Sequence, residues 1–545
     1  MGDKISVYRP TGPARSAERV VASGLRRSWE STTVALVDNG KPGALALLTG
    51  IADELDIPAE RRVMVPKQIA SRPMNDDELR TIKENCDAAI LAVGNCGSCT
   101  SWTCHDAITV TSDFGIPAAL IVTTPFIHIG QHVSRSLGYP DLPMVAVEHP
   151  VGDLPFEVIR ARGAKSAIAV REALLGVADR AAAPAATAPT DAPAETGDAE
   201  LLVVERDQAA IDELYQANNW SDGLPIVAPT EERITAMLGR HAARADEVVG
   251  TVATGYGVAT LRAIAVNAVM AGCSPEYFDV VVAAVKGVVD PAFNLHALQA
   301  TTHPVGPMIL VNGPVAAKIG MNAGTNAMGQ GNRANATIGR ALRLVLITIG
   351  RCVPGVTDRA TFGNPGKYTF CLAENESASP WEPFHVSRGL AAADSAVTVF
   401  GAEGTHNMND PASVSSTGLL KTFVGCMCTP GSNHHQFPRT EPLVVLAPEH
   451  ATLLAREGFT RASLQEYFFQ NARIPLAAFS AERIERFLSR RRPVWFGPGN
   501  TTRVAALADS PSDFLIAVSG GPGTHSVFVP SFGGTAAVTV PVEQP

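Results

Sequence analysis

The densest chemistry in this chain sits in four consecutive residues, Cys96-Gly97-Ser98-Cys99. They follow the apolar run 88–94 and precede a helix-like stretch holding Trp102, Cys104, His105 and Asp106. A strand that ends in a glycine turn and then presents a Cys-x-x-Cys pair suits a reactive thiol. The first helical turn offers unpaired N–H groups and a positive dipole end to a thiolate, and the second sulfur can resolve whatever forms on the first. Three chemistries are open at this point: a redox pair, half of a metal site, or a nucleophile with its resolving thiol. Two small apolar residues opening a helix is the bland alternative. Helix geometry disfavours metal at the Cys loop. Cys104 lies about 140° around the helix from Cys99 and His105 about 120° on the other side, so neither joins the pair on one face. A four-ligand zinc site would need a second Cys or His pair at suitable spacing.

A second group of chemistry-bearing residues lies at 320–335, where Asn322, Asn326, Asn332 and Asn335 alternate with glycines and Arg333. Glycines let backbone approach a ligand, the amides donate and accept, and Arg333 with Arg340 can fork onto a carboxylate or phosphate. The spacing is neither a Walker loop nor a dinucleotide fingerprint. A polar loop capping a buried helix is the alternative. Lys367, Tyr256 with Arg262, and Asn294, His296 and His303 could line the same pocket. Glu374 and Glu376 are further candidates. The adjacent His434 and His435, with Cys426 and Cys428, are weak metal candidates, and His406 and His525 sit in glycine-rich turns.

These residues must be positioned by two unlike regions. Residues 179–200 are rich in Ala, Pro and Thr and read as a linker. Before them, in domain 1–178, strands at 33–38, 62–66, 87–94, 117–123 and 144–148 alternate with helices at 76–85 and 156–175 and one ending at Leu55. This pattern predicts an α/β doubly wound parallel sheet of the flavodoxin or Rossmann type. Ligands of such sheets bind beyond the carboxyl ends of the strands. That makes the Cys loop, Asp38 and Asn39, and Thr124 with His128 the candidates there. The remainder, 201–545, reads as a larger α/β or α+β substrate-binding region, with a split near 390.

The chain has 545 residues, 46% hydrophobic and 18% charged, with net charge −9. It is globular in composition, and no basic stretch interleaved with aromatics points to nucleic acid. The amino terminus has no apolar signal core, and its fit to the short myristoylation pattern is read as accidental. No run suits a membrane span. Nine cysteines, an odd number thinly spread, indicate reduced thiols in a cytoplasm.

Asn95-Cys96-Gly97-Ser98-Cys99-Thr100-Ser101-Trp102, with 37–42 upstream, resembles the (seleno)protein family named for its UGSC motif, where U is selenocysteine and many members carry cysteine. Residues 30–175 fit that family throughout. The segment from Cys96 through Gly115-Ile116-Pro117 to Thr124 is also similar to the selenoprotein B subunits of glycine, sarcosine and betaine reductases. Residues 200–545 resemble uncharacterised proteins associated with the UGSC family. The resemblance implies that Cys96 occupies the selenocysteine position and attacks a carbon bearing a leaving group, with Cys99 as its partner. The expected activity is a thiol-dependent oxidoreductase or lyase acting on a small anionic substrate and cleaving a carbon–heteroatom bond. An external thiol, thioredoxin or a low-molecular-weight thiol, would restore the pair. Two alternatives remain: a cofactor-free lyase or hydrolase centred on 255–376 with a regulatory Cys pair, and a redox-relay or metal-handling binding module. Small-residue helices across 261–350 are compatible with a homodimer.

Overall fold

A computed structural model describes residues 3–13, 24–25, 28–176 and 201–543. The linker expected at 179–200 lies outside the described residues. The first strand, β1 (Lys4–Tyr8), is followed by β2 (Val34–Asp38), α1 (Ala44–Glu54), β3 (Arg62–Pro66), α2 (Asp76–Asn85), β4 (Ala88–Gly94), α3 (Gly97–Phe114), β5 (Ala118–Thr123), α4 (Ile127–Ser136), β6 (Met144–Val147) and α5 (Phe156–Leu175). Strands β2 to β6 form one parallel sheet in the order β3-β2-β4-β5-β6, the doubly wound arrangement expected. Every residue of β2, β4 and β5 is buried, as befits parallel strands covered on both faces. Alternate residues serve opposite sides: Leu36, Ile90 and Ile121 pack under α1 and α5, while Val37, Leu91 and Leu120 face α3 and α4. α1 and α5 meet through glycine, since a Cβ on Gly50 would fall 2.0 Å from the Arg160 carbonyl oxygen. α2 starts where its sequence says it should. Asn75 caps it and Glu78 closes the capping box.

Residues 3–13 do not pack with this sheet. β1 pairs antiparallel with β7 (Leu201–Glu205), Val7 and Tyr8 enter the core of the second region, and Asn267 donates to the Pro10 carbonyl at 3.1 Å. A domain drawn as 1–178 thus cuts across the second region's own packing.

The second region is α/β. One four-stranded sheet orders the strands Cys371–Ala373, Gly306–Asn312, Ala396–Ala402 and Val538–Pro541; a second orders His406–Asn409, His525–Val529, Leu443–Leu446 and Leu515–Val518, beside smaller two-stranded sheets. The chain leaves the first sheet after 402 and returns to it at 538. Helix Leu261–Ala271 is buried at every residue but Arg262, so its small-residue faces are spent on packing within the chain. No described helix is long and apolar enough to cross a membrane.

Candidate functional site

In the strand order β3-β2-β4-β5-β6 the winding direction reverses between β2 and β4, and the crevice beyond that point is where such sheets take ligands. The Cys loop lies there. β4 ends at Gly94, where a Cβ would meet Thr100 Oγ1 at 2.7 Å. Cys96 is the N-cap of α3, and its sulfur accepts from the Cys99 N–H at 3.4 Å. Cys96 and Cys99 are paired as a disulfide, with Cα atoms 5.5 Å apart. Cys96 is half-buried and Cys99 fully buried, an asymmetry that leaves Cys96 the sulfur open to an incoming molecule. The other cysteines differ in kind. Burial pushes the thiols of Cys86 and Cys428 up to about 11 and those of Cys273 and Cys352 to about 12, and raises Cys104, Cys371 and Cys426. Cys104 donates to the Gly130 carbonyl, away from the pair. Among the described residues no three His, Cys, Asp or Glu side chains are grouped to hold a metal.

The second region closes over this edge. Helix Leu295–Ala300 lies against α3 so tightly that a Cβ on Gly97 would sit 1.5 Å from the Ala300 carbonyl oxygen. Ser101 Oγ hydrogen-bonds His296 Nε2, whose Nδ1 meets the Tyr256 hydroxyl at 2.8 Å. The Trp102 indole donates to Asn294 at 3.1 Å. Burial, and then the neighbouring His105, drive His296 down to about 3, so it is neutral in the folded protein. An unfolded histidine protonates near 6.5. The unfolded chain therefore binds more protons between about 6.5 and 3, and stability falls as pH drops through that window. His296→Gln is expected to blunt this acid sensitivity, read as the urea midpoint at pH 7 and pH 4.5. An equal loss in both proteins would contradict it.

A second cover comes from 481–492. Asp38, buried at the end of β2, pairs with Arg490. Arg491 donates to the Gly40 carbonyl at 3.2 Å, and Arg486 to those of Gly152, at 3.0 Å, and Leu154. Lys67 and Asp106, both buried, pair with each other and tie the loop after β3 to α3.

The residues expected to bind substrate are distributed unevenly. Asp38 is at the crevice but is engaged by Arg490. Asn39 is fully buried and structural, its amide donating to the Val93 carbonyl at 2.9 Å and to Thr103 at 3.1 Å. Thr124 is exposed just past β5 and His128 is half-buried in α4. The 320–335 loop takes a different role from the one expected. Asn335 donates to the carbonyls of Asn322 and Ala327, Asn326 to that of Gln330, and Asn332 caps the helix Arg333–Thr348. Arg333 donates to the Gly272 carbonyl at 3.0 Å, and Arg340 forks onto Asp222. Ala323 accepts from Gly520 at 2.9 Å. These side chains are consumed in holding the loop against its own region, and among the described residues none of their hydrogen bonds reaches the Cys loop. Lys367 pairs with Asp358 at 2.5 Å. The site residues that sequence reasoning missed are Lys41, Arg490 and Arg491. The last two belong to a run of three arginines at 490–492.

Burial and the Arg491 charge pull the half-buried Lys41 ammonium down to about 7. An unfolded lysine keeps its proton to about 10.4, so the unfolded chain binds more protons above about 7 and stability rises with pH from there toward 10. Lys41→Met is expected to flatten that rise in a melting-temperature profile. An unchanged profile would contradict the placement.

No curated protein and no solved structure matches the chain, so the likeness of the Cys loop to selenoprotein B subunits rests on its own residues. The sheet, its switch point and the Cys loop nevertheless fall inside one segment: residues 6–176 match the model of the UGSC family.

Proposed function

We propose that the chain is a thiol-dependent enzyme that removes a leaving group from carbon in a small anionic substrate. The carrying observation is the placement of Cys96: half-exposed at the switch point, at the start of α3, with Cys99 buried beneath it and in bonding contact. Reduced Cys96 attacks the carbon as thiolate and the carbon–leaving-group bond breaks, giving a thioether and a free anion. Cys99 thiolate then attacks the Cys96 sulfur. The carbon departs with the electron pair and takes a proton, leaving the Cys96–Cys99 disulfide. Two electrons have passed from the dithiol to the substrate, and a thioredoxin-type or low-molecular-weight dithiol returns them. A cytoplasmic setting, where thiols are held reduced, suits this cycle. The helix start favours the attacking thiolate, and helix Leu295–Ala300 packs on the first turn of α3 beside it.

Incubating the reduced full chain with bromoacetate in a single turnover tests the balance. Bromide, acetate and Cys96–Cys99 disulfide are expected in equal amounts. Carboxymethylation spread over the cysteines with no acetate would overturn the reading.

A further inference from the structure

Two histidines close to one carboxylate each leave a ring nitrogen unbonded. His303 Nε2 is paired with Glu403, while its Nδ1 is buried and meets no hydrogen-bond partner among the described residues. The ring is fixed by stacking on Phe532, with centroids 5.5 Å apart. The Glu403 N–H donates to the Pro530 carbonyl at 2.9 Å. Two residues before Pro530, Phe528 packs at 5.5 Å on the fully buried His434. His434 Nδ1 bonds Ser432 at 2.7 Å, and its Nε2 again meets no partner among the described residues. Burial pushes the Glu403 carboxyl up, but the hydrogen bond and charge of His303 more than offset it, so the group is an anion at neutral pH. Buried polar atoms rarely lack a partner, and a catalytic role is one of the few reasons they do. A carboxylate on one imidazole nitrogen, with the other nitrogen open, is how a histidine is oriented for proton transfer.

The pair lies on the wall of the crevice that holds Cys96. His303 stands three residues beyond Ala300, the residue against which Gly97 is packed, and three residues of chain reach at most about 11 Å. From His303 the wall runs through its stacked partner. A Cβ on Gly533, next to Phe532, would fall 2.5 Å from Phe437 Cβ. The Phe437 ring lies 4.7 Å from the Arg491 guanidinium, which donates to the Gly40 carbonyl just past β2. β2 is hydrogen-bonded to β4, so this circuit of contacts closes at the Cys loop, with Cys96 and His303 both on it. Glu403 keeps 21% of its side chain exposed and His303 11%, which leaves the pair a route to solvent protons.

We propose that His303, oriented by Glu403, is the acid that protonates the carbon as it leaves Cys96. The proposal rests on the thiol reading and names the proton donor that reading requires. The imidazolium keeps its Nε2–H on the Glu403 carboxylate. As Cys99 thiolate bonds to the Cys96 sulfur, the sulfur–carbon bond breaks, its electron pair moves to carbon, and the Nδ1 proton follows. Neutral imidazole remains and regains a proton from water. The dithiol still supplies both electrons.

Single-turnover reactions of the reduced full chain with bromoacetate read the two steps apart, carboxymethylation of Cys96 by intact mass and the second step by acetate release. His303→Gln is expected to leave the first rate within about threefold and to slow acetate release about a hundredfold, so that carboxymethyl-Cys96 accumulates although Cys99 is present. Glu403→Gln is expected to slow the same step, to a smaller extent, and it carries the test should His303→Gln not fold. Imidazole added to His303→Ala is expected to speed acetate release and leave carboxymethylation alone, which a purely structural His303 would not show. Acetate released as fast by the variants as by the unaltered chain, equal slowing of both steps, or an imidazole addition without effect overturns the proposal and spares the thiol reading. An unaltered chain that does not prefer Cys96 for carboxymethylation, or yields no acetate, sinks the thiol reading itself and the proposal with it.

Discussion

Gly97→Ala is expected to break the contact between the two halves of the chain. The added Cβ would fall 1.5 Å from the Ala300 carbonyl oxygen and 2.7 Å from its carbon, with Arg359 Cβ at 3.2 Å. The first two atoms are backbone in the helix Leu295–Ala300, so no side-chain rotation relieves the overlap. Either that helix lifts off α3 or α3 shifts at its first residue, and both displace Cys96. Overpacking against rigid atoms costs about 3 kcal/mol or more. The Ser101–His296 and Trp102–Asn294 bonds cross the same contact and would be lost with it. Limited proteolysis and the urea midpoint read the effect. Gly425→Ala is the control: its Cβ meets nothing within 4 Å in the helix Ser416–Met427, and alanine there should be neutral or stabilising by up to about 1 kcal/mol. Equal behaviour of the two variants would mean that helix Leu295–Ala300 does not seat on α3.

Cys96→Ser is expected to lower reductive debromination of bromoacetate by at least a factor of about a thousand. A serine hydroxyl in the same place does not ionise near neutral pH and has no sulfur for Cys99 to attack. Cys104→Ser, five residues beyond Cys99, should leave the rate within a fewfold, because the Cys104 thiol is buried, bonded to the Gly130 carbonyl and held protonated. Similar losses in the two variants would place the chemistry elsewhere.

How much of this was legible beforehand follows from how local each feature is. Helices 76–85 and 156–175 fall where their patterns put them, because caps and apolar faces are properties of neighbouring residues. The parallel sheet follows from the βαβ alternation, and the Cys loop from a strand, a glycine and two cysteines in sequence. Long-range partners were not legible. Arg490 reaches Asp38 across most of the chain, and nothing in an arginine run distinguishes a buried cation from a solvated one. The 320–335 loop shows the opposite error. Its asparagines and arginines looked available for a ligand, but each of Asn322, Asn326, Asn332, Asn335, Arg333 and Arg340 finds a partner in its own region. Buried polar groups rarely go unsatisfied, so a polar loop says little until its partners are known. Weak candidates such as Asn294 and His296 gained importance for the same reason: the fold brings them onto α3. Residues 3–13 went astray because strand pairing with 201–205 is settled by partners some two hundred residues apart.

The central claim is that Cys96 attacks and Cys99 resolves, and Cys99→Ser isolates the first act from the second. The reduced variant is treated with bromoacetate at limiting concentration, and its intact mass and peptide masses are recorded. The account predicts a single carboxymethyl group, on Cys96, that persists and yields no acetate, while the unaltered chain under the same conditions ends as the Cys96–Cys99 disulfide with acetate released. A Cys99→Ser protein that still releases acetate, or that carries its adduct on another cysteine, would contradict it.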